Sequence, residues 1–171
     1  TNEQSVSYYH SIKDTNIFDT LLWDGPSGPD DLKDFGYRAR VALTMGAGAA
    51  VSLAVVEKSS DQMIGGISWR PRDASGETGD IGYALAPHAH GKGYGTEAIA
   101  RIVQYAFEDR GAWRVEAEVF TDNPASRRVL EKNGFQFEGT KRANVCKRGE
   151  WRDEWLLSIL RPDWVDRQRR K

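Results

Sequence analysis

The sequence is poor in the residues that crosslink small domains or bind metals. Cys146 is the single cysteine among 171 residues, which excludes an internal disulfide. The three histidines, His10, His88 and His90, form no zinc-binding spacing with it, so we expect no metal site. No apolar run approaches the roughly 18 residues that span a bilayer, and Thr1 opens no secretory signal pattern. We therefore expect a soluble, cytoplasmic protein with no membrane partner.

An excess of charge of one sign is also lacking. The 24 Lys and Arg residues nearly balance the 25 Asp and Glu residues, and the formal net charge is -1. Such a chain has no general attraction for nucleic acid or an anionic membrane, so any anion must be bound by a local site. The basic tail at 166–171 is expected to be solvated, with contact to ribosomal RNA as the alternative.

The chain has the length of about one domain, and its 39% apolar and 29% charged residues are ordinary for a globular protein. It contains no linker, repeat or low-complexity tract ahead of the basic tail. We therefore predict a single domain over 1–171.

The first half predicts two helices followed by an antiparallel meander. Segment 6–23 has a helical pattern, and a second helix is predicted from Asp30 through residue 43. Segments 49–58 and 62–70 alternate as strands around a polar turn, and a third strand over 79–86 ends at Pro87.

The second half predicts a strand, helix, strand unit and a final hairpin. From Gly95 the apolar residues recur at helical spacing until Gly111, and segment 112–120 then reads as a strand parallel to 79–86. The recurring positions are Ile99, Ile102, Val103, Ala106 and Phe107. Asn123 is predicted to cap a further helix that begins with Pro124 and closes at Asn133 and Gly134. Segments 135–145 and 151–160 are predicted to form a hairpin. The fold class is therefore α/β with a mixed, largely antiparallel sheet.

A glycine-rich stretch, HGKGYG at 90–95, lies between the third strand and the helix. Unpaired amides and the helix dipole at such a junction favour phosphate, and glycine lets the backbone approach it closely. A Walker A loop does not fit, because Lys92 precedes the last two glycines. The two-residue glycine spacing does not fit a dinucleotide-binding fingerprint either.

The stretch resembles the pyrophosphate loop of the GNAT superfamily of acetyl-CoA-dependent N-acetyltransferases. Further segments look like its RimJ/RimL-type branch, which acetylates protein N-termini in its best-known members. These are IGGISWRPRD, DIGYALAP, GYGTEAI, RVEAEVFTDNPASRRVLEKNGFQFEGT and RGEWRDEWLLSILRPDW, which cover roughly residues 62–164 in order. The N-terminal half resembles the family only in LLWDGP at 21–26. The family's first strand is expected upstream of Thr1.

The resemblance implies a GNAT fold of six to seven strands, with helices on both faces and acetyl-CoA as co-substrate between the two parallel strands. The pantetheine arm is expected to pair with main-chain groups of Tyr83, Ala84 and Leu85. The residues implied to contact the pyrophosphate are His90, Gly91, Lys92, Gly93, Tyr94, Gly95 and Thr96. His90 replaces the customary Gln or Arg. The main-chain contacts do not depend on this replacement, whereas the resemblance does not carry a side-chain contact with phosphate over to His90.

The resemblance also assigns roles to the segment TDNPASRRVL. Asn123 is expected to bind the cofactor arm and Ser126 to lie near the thioester sulfur. The alternatives are a plain helix cap and a plain first-turn residue. Many members place a tyrosine seven residues after the asparagine, where this chain has Leu130. Ser126 is therefore the candidate acid that protonates coenzyme A.

The candidate base lies within residues 114–120 of the predicted strand. Arg114, Glu116, Glu118 and Phe120 share one face, opposite an apolar face that packs on helices. Glu118 aligns with a glutamate proposed as base in a related enzyme, whereas both glutamates could instead be solvated or paired with Arg114. Asp80 matches an acidic position of the branch and is equally explained by structural hydrogen bonds. His88 and His90 lie at the phosphate end and are not favoured as bases.

The aromatic residues are assigned mainly to the core. Trp151, Trp155 and Trp164 are predicted to pack there, and so is Trp23, with an acceptor-lining role as its alternative. Asp153 could meet a cationic amine.

The predicted activity is direct acetyl transfer from acetyl-CoA to a primary amine, most simply a protein N-terminal α-amine. At pH 7, deprotonating an α-amine with a reference pKa near 8 costs about 1 kcal/mol, against about 4.6 kcal/mol for a lysine. One alternative is a small amine such as an antibiotic, an amino acid or a polyamine. Another is a non-catalytic module that binds coenzyme A or RNA. A homodimer is common in the resembled family.

Overall fold

The computed structural model describes residues 1–32, 41 and 43–170, and its six strands form one sheet in the order β1-β2-β3-β4-β6-β5. The strands are β1 (Val51–Glu57), β2 (Gln62–Pro71), β3 (Thr78–Leu85), β4 (Arg114–Phe120), β5 (Gln136–Lys147) and β6 (Glu150–Leu160). β3 and β4 run parallel, and the other neighbouring pairs run antiparallel. The predicted fold class, a mixed and largely antiparallel α/β sheet, is confirmed.

Four α-helices lie wholly within the described residues and pack on this sheet. They are α1 (Asn2–Ile12), α2 (Tyr94–Glu108), α3 (Pro124–Lys132) and α4 (Arg161–Arg169), and short 3-10 helices span Asn16–Thr20, Pro29–Leu32 and Pro87–Ala89. The apolar stripe predicted for α2 is buried from Ile99 to Phe107 against the same sheet face as Val115. A second cluster around Ile12 of α1 includes Ala86, whose position alternates with that of the core residue Leu85. Helices therefore cover both faces.

The predicted helix over 6–23 is wrong in both bounds. Helix α1 begins earlier because Thr1 forms a capping box with Gln4, and it ends at Ile12, whose carbonyl accepts from the Thr15 hydroxyl (2.7 Å). The second predicted helix opens as the 3-10 turn Pro29–Leu32, and most of its remainder lies outside the described residues.

The sequence did not predict α4 in the basic tail. The guanidinium of Arg161 anchors its start to the carbonyls of Phe107 (2.6 Å) and Ala112 (2.8 Å), and Trp164 packs on Phe107 at 5.5 Å between ring centroids. Within the described ranges, no helix is long and apolar enough to cross a bilayer.

Two tryptophan predictions are wrong. Trp151 is 68% exposed because it lies beside the tight Arg148–Gly149 turn at the tip of the β5–β6 hairpin, and Trp23 is 51% exposed in its loop. The ring of Trp23 contacts Phe18 edge-on rather than entering the core. Trp155 and Trp164 pack against the main core as expected.

Candidate active site

The sheet opens between its two parallel strands. β3 and β4 pair from Thr78–Arg114 to Asp80–Glu116. β3 then continues to Leu85 beside β2, and β4 continues to Phe120 beside β6. Beyond Asp80–Glu116, within the part of the chain that the structure describes, the two strands have separated and a gap lies between them.

Two hydrogen bonds establish which main-chain groups of β3 face this gap. The Arg72 N–H donates to the Thr78 carbonyl (2.9 Å), and the Ala86 N–H donates to the Ile64 carbonyl (2.8 Å). Even-numbered residues of β3 therefore bond to β2, and odd-numbered ones point the other way. The N–H and C=O groups of Tyr83 and Leu85 face the gap, whereas those of Ala84 lie in the ladder with β2.

The glycine loop lies at the open end of the gap and leads into α2. Gly91 and Gly93 have φ of 75° and 87°, and a Cβ at either would meet no atom within 4 Å. The first helical bond runs from the Glu97 N–H to the Gly93 carbonyl (3.1 Å), so the N–H groups of Tyr94, Gly95 and Thr96 precede the helical ladder. This arrangement can accept a diphosphate.

Two side chains of this loop form hydrogen bonds within the protein. His90 Nε2 lies 2.8 Å from the Leu85 carbonyl oxygen, which requires it to donate. The Tyr94 hydroxyl donates to Glu57 of β1, which raises the pKa of Tyr94. Hydrogen bonds from Ser60 and Tyr94 lower the pKa of Glu57, and the nearby charge of Lys92 adds to this effect. The predicted contacts of Gly91 to Thr96 therefore rest on main-chain groups.

Asn123 and Ser126 lie at the N-terminus of α3. The Ser126 N–H donates to Asn123 Oδ1 (3.1 Å), so the predicted helix cap is confirmed, and Pro124 follows it in the first turn. Ser126 Oγ lies 2.8 Å from the Tyr83 hydroxyl of β3. Sequence reasoning missed this pair, because the two residues lie on different elements 43 positions apart. Leu130 is 0% exposed and fills the position where many members carry tyrosine.

The two glutamates of β4 differ in their surroundings. Glu116 is bonded by Arg72 and by Arg114 Nε (2.6 Å), and its side chain is largely buried. Glu118 accepts from Lys141 Nζ (2.5 Å) and lies 3.7 Å from Arg72 Nη2. Glu116 is therefore held by two guanidinium groups, and Glu118 is held chiefly by one lysine.

Sequence reasoning missed a third carboxyl, that of Glu154 on β6. It is 6% exposed, and Asn144 Nδ2 donates to its Oε2 (2.6 Å). Burial raises its pKa above the ordinary value, and the nearby Glu118 raises it further. Its position opposite Phe120 puts it one strand away from the gap.

Two other candidate carboxylates serve the scaffold. Asp80 accepts from Arg70 Nε (2.9 Å), and Asp153 accepts from the Ala143 N–H (2.7 Å). Ala143 has φ of 45° at the point where the pairing of β5 with β6 shifts register. Asp153 therefore stabilises an irregular strand.

The loop that bears Trp23 is tied to the hairpin tip. Lys147, with a side chain only 4% exposed, donates to the Leu21 carbonyl and to Asp24 (3.0 Å). The bond from Lys147 and a further one from Arg148 lower the pKa of Asp24. The loop is thereby held beside the exposed Trp151 end of the sheet.

Residues 19–136 match the family model described as "Acetyltransferase (GNAT) domain". The chain belongs to the GNAT acetyltransferase family. GNAT acetyltransferases use acetyl-CoA, and the exposed helix N-terminus beside an opened parallel strand pair fits a nucleotide diphosphate with an extended arm.

Curated relatives share this family. The chain is 43% identical over 106 residues to the "Probable N-acetyltransferase YjcK" of Bacillus subtilis, a match covering 61% of the chain and 59% of that protein. It is 30% identical over 85 residues to the "[Ribosomal protein uS5]-alanine N-acetyltransferase" of Escherichia coli, covering 50% of the chain and 44% of that protein. The matches thus span less than two thirds of these relatives.

Solved structures share the fold. A "Probable acetyltransferase" superposes with a TM-score of 0.80 at 24% identity, covering 95% of this chain and 90% of that one. A spermidine N-acetyltransferase from Vibrio cholerae superposes with a TM-score of 0.73 at 19% identity, covering 98% and 96%. These likenesses confirm the GNAT fold.

Proposed function

We propose that this GNAT domain is an N-acetyltransferase that moves an acetyl group directly from acetyl-CoA to a primary amine. One observation carries the proposal. The parallel pairing of β3 and β4 stops at Asp80–Glu116, and the gap beyond it opens beside the first amides of α2. An extended thioester arm fits such a gap as an added strand, and its phosphates fit the helix N-terminus.

The cofactor contacts follow from the main chain. Gly91 to Thr96 would hold the pyrophosphate through N–H groups, and Tyr83 and Leu85 would pair with the amides of the arm. Asn123 uses Oδ1 to cap α3, so contact with the arm falls to its side-chain NH₂ group. His90 would support the loop through its bond to the Leu85 carbonyl, whose second lone pair remains for the arm, rather than contact phosphate.

The two proton transfers would take place on opposite faces of the sheet. Ala117 and Val119 of β4 pack in the main core with Tyr83, so Glu118 lies on the opposite face. Ser126 lies on the core side beside Tyr83. An amine that enters from the Glu118 side would meet the acetyl carbon in the gap, while the thiolate leaves toward Ser126. We propose Glu118 as base, directly or through water, and Ser126 as acid.

A protein N-terminal α-amine is the acceptor we favour. It needs about 3.6 kcal/mol less than lysine for deprotonation at pH 7, so an ion-paired carboxylate such as Glu118 suffices as base. The relation to the uS5-alanine N-acetyltransferase supports this choice.

A small polyamine is the second candidate. Glu118 lies close enough to the buried Glu154 to raise the pKa of Glu154, and two neighbouring carboxyl groups would suit a cationic amine. The fold shared with a spermidine N-acetyltransferase is consistent with this acceptor.

Acetyl transfer to a mixed panel tests the proposal. Purified protein is incubated with acetyl-CoA, peptides with free Ala, Ser and Met N-termini, spermidine and an aminoglycoside, and products are identified by mass spectrometry. Acetylated peptide α-amines are expected. Acetylated spermidine with unmodified peptides would select the second candidate. RNA binding without coenzyme A binding in calorimetry would contradict the enzyme and support a non-catalytic module.

We further propose one domain over 1–171, a homodimer and a cytoplasmic location. The exposed Leu22, Trp23 and Trp151 are apolar surface that a second copy could cover. Sedimentation of the full chain tests the dimer.

A further inference from the structure

One side-chain contact connects β3 with α3, the helix that follows β4. The Tyr83 hydroxyl of β3 lies 2.8 Å from Ser126 Oγ at the first turn of α3. Tyr83 is three residues beyond Asp80, where the pairing of β3 with β4 ends. The contact therefore lies beside the part of β3 that no longer pairs with β4.

Tyr83 is held so that its hydroxyl remains a proton donor. Its ring packs against the main core, and burial raises the pKa of the phenol above its usual value, while the bond to Ser126 opposes part of this effect. A phenol in such a site is neutral at physiological pH. With both hydroxyls able to donate and accept, Tyr83 can donate to Ser126 while Ser126 donates onward.

We propose that Tyr83 is a positioning residue that directs the Ser126 proton to the leaving thiolate of coenzyme A. This inference rests on the proposed function and extends it to a residue on a different strand. A Tyr83–Ser126 pair would supply the proton-donating hydroxyl that Leu130 lacks. Leu130 is buried in the core at the position where many members carry tyrosine.

Acetyl transfer forms one carbon–nitrogen bond and breaks one carbon–sulfur bond. The amine nitrogen bonds to the acetyl carbon, the carbon–sulfur bond breaks, and the sulfur takes the electron pair. Ser126 O–H transfers its proton to the sulfur and receives the Tyr83 proton. The proton lost by the acylated nitrogen passes to Glu118 or water and returns through solvent to the Tyr83 oxygen. Coenzyme A thiol and the amide are the products, and both hydroxyls are restored.

The variants separate a proton relay from packing. Tyr83→Phe removes only the hydroxyl, Ser126→Ala removes its partner, and Ser126→Thr keeps a hydroxyl in place. Tyr105→Phe is the matched control, because the Tyr105 hydroxyl accepts from Arg110 outside the proposed site. Each variant is assayed for kcat, for KM of acetyl-CoA, and for the solvent deuterium isotope effect on kcat, with the fastest acceptor of the panel. Calorimetry with coenzyme A and thermal melting establish binding and folding.

Tyr83→Phe is expected to lower kcat at least about tenfold, with KM and coenzyme A affinity changed less than about twofold. It should reduce the solvent isotope effect, and the Tyr83→Phe/Ser126→Ala double variant should be no slower than Ser126→Ala alone. Tyr105→Phe should retain wild-type kcat. Ser126→Thr should restore most of the turnover that Ser126→Ala loses.

Three outcomes would overturn the inference: an unchanged kcat in Tyr83→Phe, a loss confined to KM, or fully additive losses in the double variant. If Tyr83→Phe does not fold, equal turnover of Ser126→Ala and wild type with an unchanged isotope effect would overturn it. A wild-type chain that binds coenzyme A and transfers acetyl groups while Tyr83→Phe is unaffected defeats this inference alone. A wild-type chain that transfers no acetyl group to any acceptor defeats the proposed function as well.

Discussion

Asp80 of β3 and Glu116 of β4 face each other in the last residue pair before the two parallel strands separate. Asp80 is bonded by Arg70 of β2, and Glu116 is bonded by Arg72, which directly follows β2. Arg114 adds a second bond to Glu116. The base of the gap is therefore held by ion pairs across three adjacent strands, whereas the gap above it is free to accept an added strand.

Glutamine substitutions should distinguish the structural role of Glu116 from the proposed catalytic role of Glu118. Glu116→Gln weakens bonds to two guanidinium groups at a largely buried site, and we expect a loss of about 1–2 kcal/mol of unfolding free energy, or about 2–8 °C in Tm. Glu118→Gln should leave Tm nearly unchanged and lower kcat at least about tenfold. Thermal melting and steady-state kinetics measure both. A lowered Tm with unchanged kcat in Glu118→Gln, and a lowered kcat with unchanged Tm in Glu116→Gln, would contradict the role of Glu118 as base.

Alanine at Gly93 should weaken coenzyme A binding. Positive φ strains alanine by about 1–2 kcal/mol, and its Cβ would project into the open space proposed for the pyrophosphate. Gly111 at the other end of α2 has φ of 74° and equally open space, so Gly111→Ala is the matched control. Both variants should lose similar stability, and only Gly93→Ala should lose affinity, by about tenfold in calorimetry. Equal affinities of the two variants would contradict the assignment of the loop.

Glu138 should make stability pH-dependent in acid. Bonds from Arg114 Nη1 (2.8 Å) and the Ser158 hydroxyl (2.6 Å) lower the pKa of Glu138 to about 2 from its ordinary value of 4.5. A lowered folded-state pKa stabilises the fold above pH 4.5, and this contribution is lost as the pH falls toward 2. The Tm difference between wild type and Glu138→Gln should therefore narrow between pH 5 and pH 3. A constant difference would show that the carboxylate charge is not the cause.

Methionine at Lys147 should release the loop that carries Trp23. The variant leaves the Leu21 carbonyl without its buried charged donor, and we expect a loss of about 2–3 kcal/mol with faster proteolysis near residues 21–24. Arg148→Gln is the control, because Arg148 pairs with the same Asp24 at an exposed position and should cost at most about 1 kcal/mol. Denaturant unfolding and timed proteolysis measure the two effects. Equal costs would show that burial of Lys147 is unimportant.

Local patterns in the sequence predicted much of this fold. The apolar spacing from Ile99 to Phe107, the Asn123–Pro124 helix start and the strand alternation across β4 each act within a few residues, and the structure confirms them. The limits of α1 and the exposure of Trp151 depend on caps and on chain direction at a turn, which periodicity does not encode.

Long-range contacts could not be predicted in the same way. Tyr83 and Ser126 are 43 positions apart, and Lys147 and Leu21 are 126 apart. The raised pKa of Glu154 likewise follows from burial, and alternation along β6 alone does not reveal it. The sequence therefore predicted which segments form the site. Which residues contact each other within it could be learned only from the three-dimensional structure.

Amide hydrogen exchange of the full chain with and without coenzyme A locates the cofactor. Binding in the gap between β3 and β4 should slow exchange at Gly91 to Thr96, Tyr83 and Leu85. The competing location is a groove of about 630 Å³ between β1 and α2, bordered by Val55 and Arg101. Slowed exchange confined to that groove, or none anywhere at saturating coenzyme A, would contradict binding in the gap between β3 and β4.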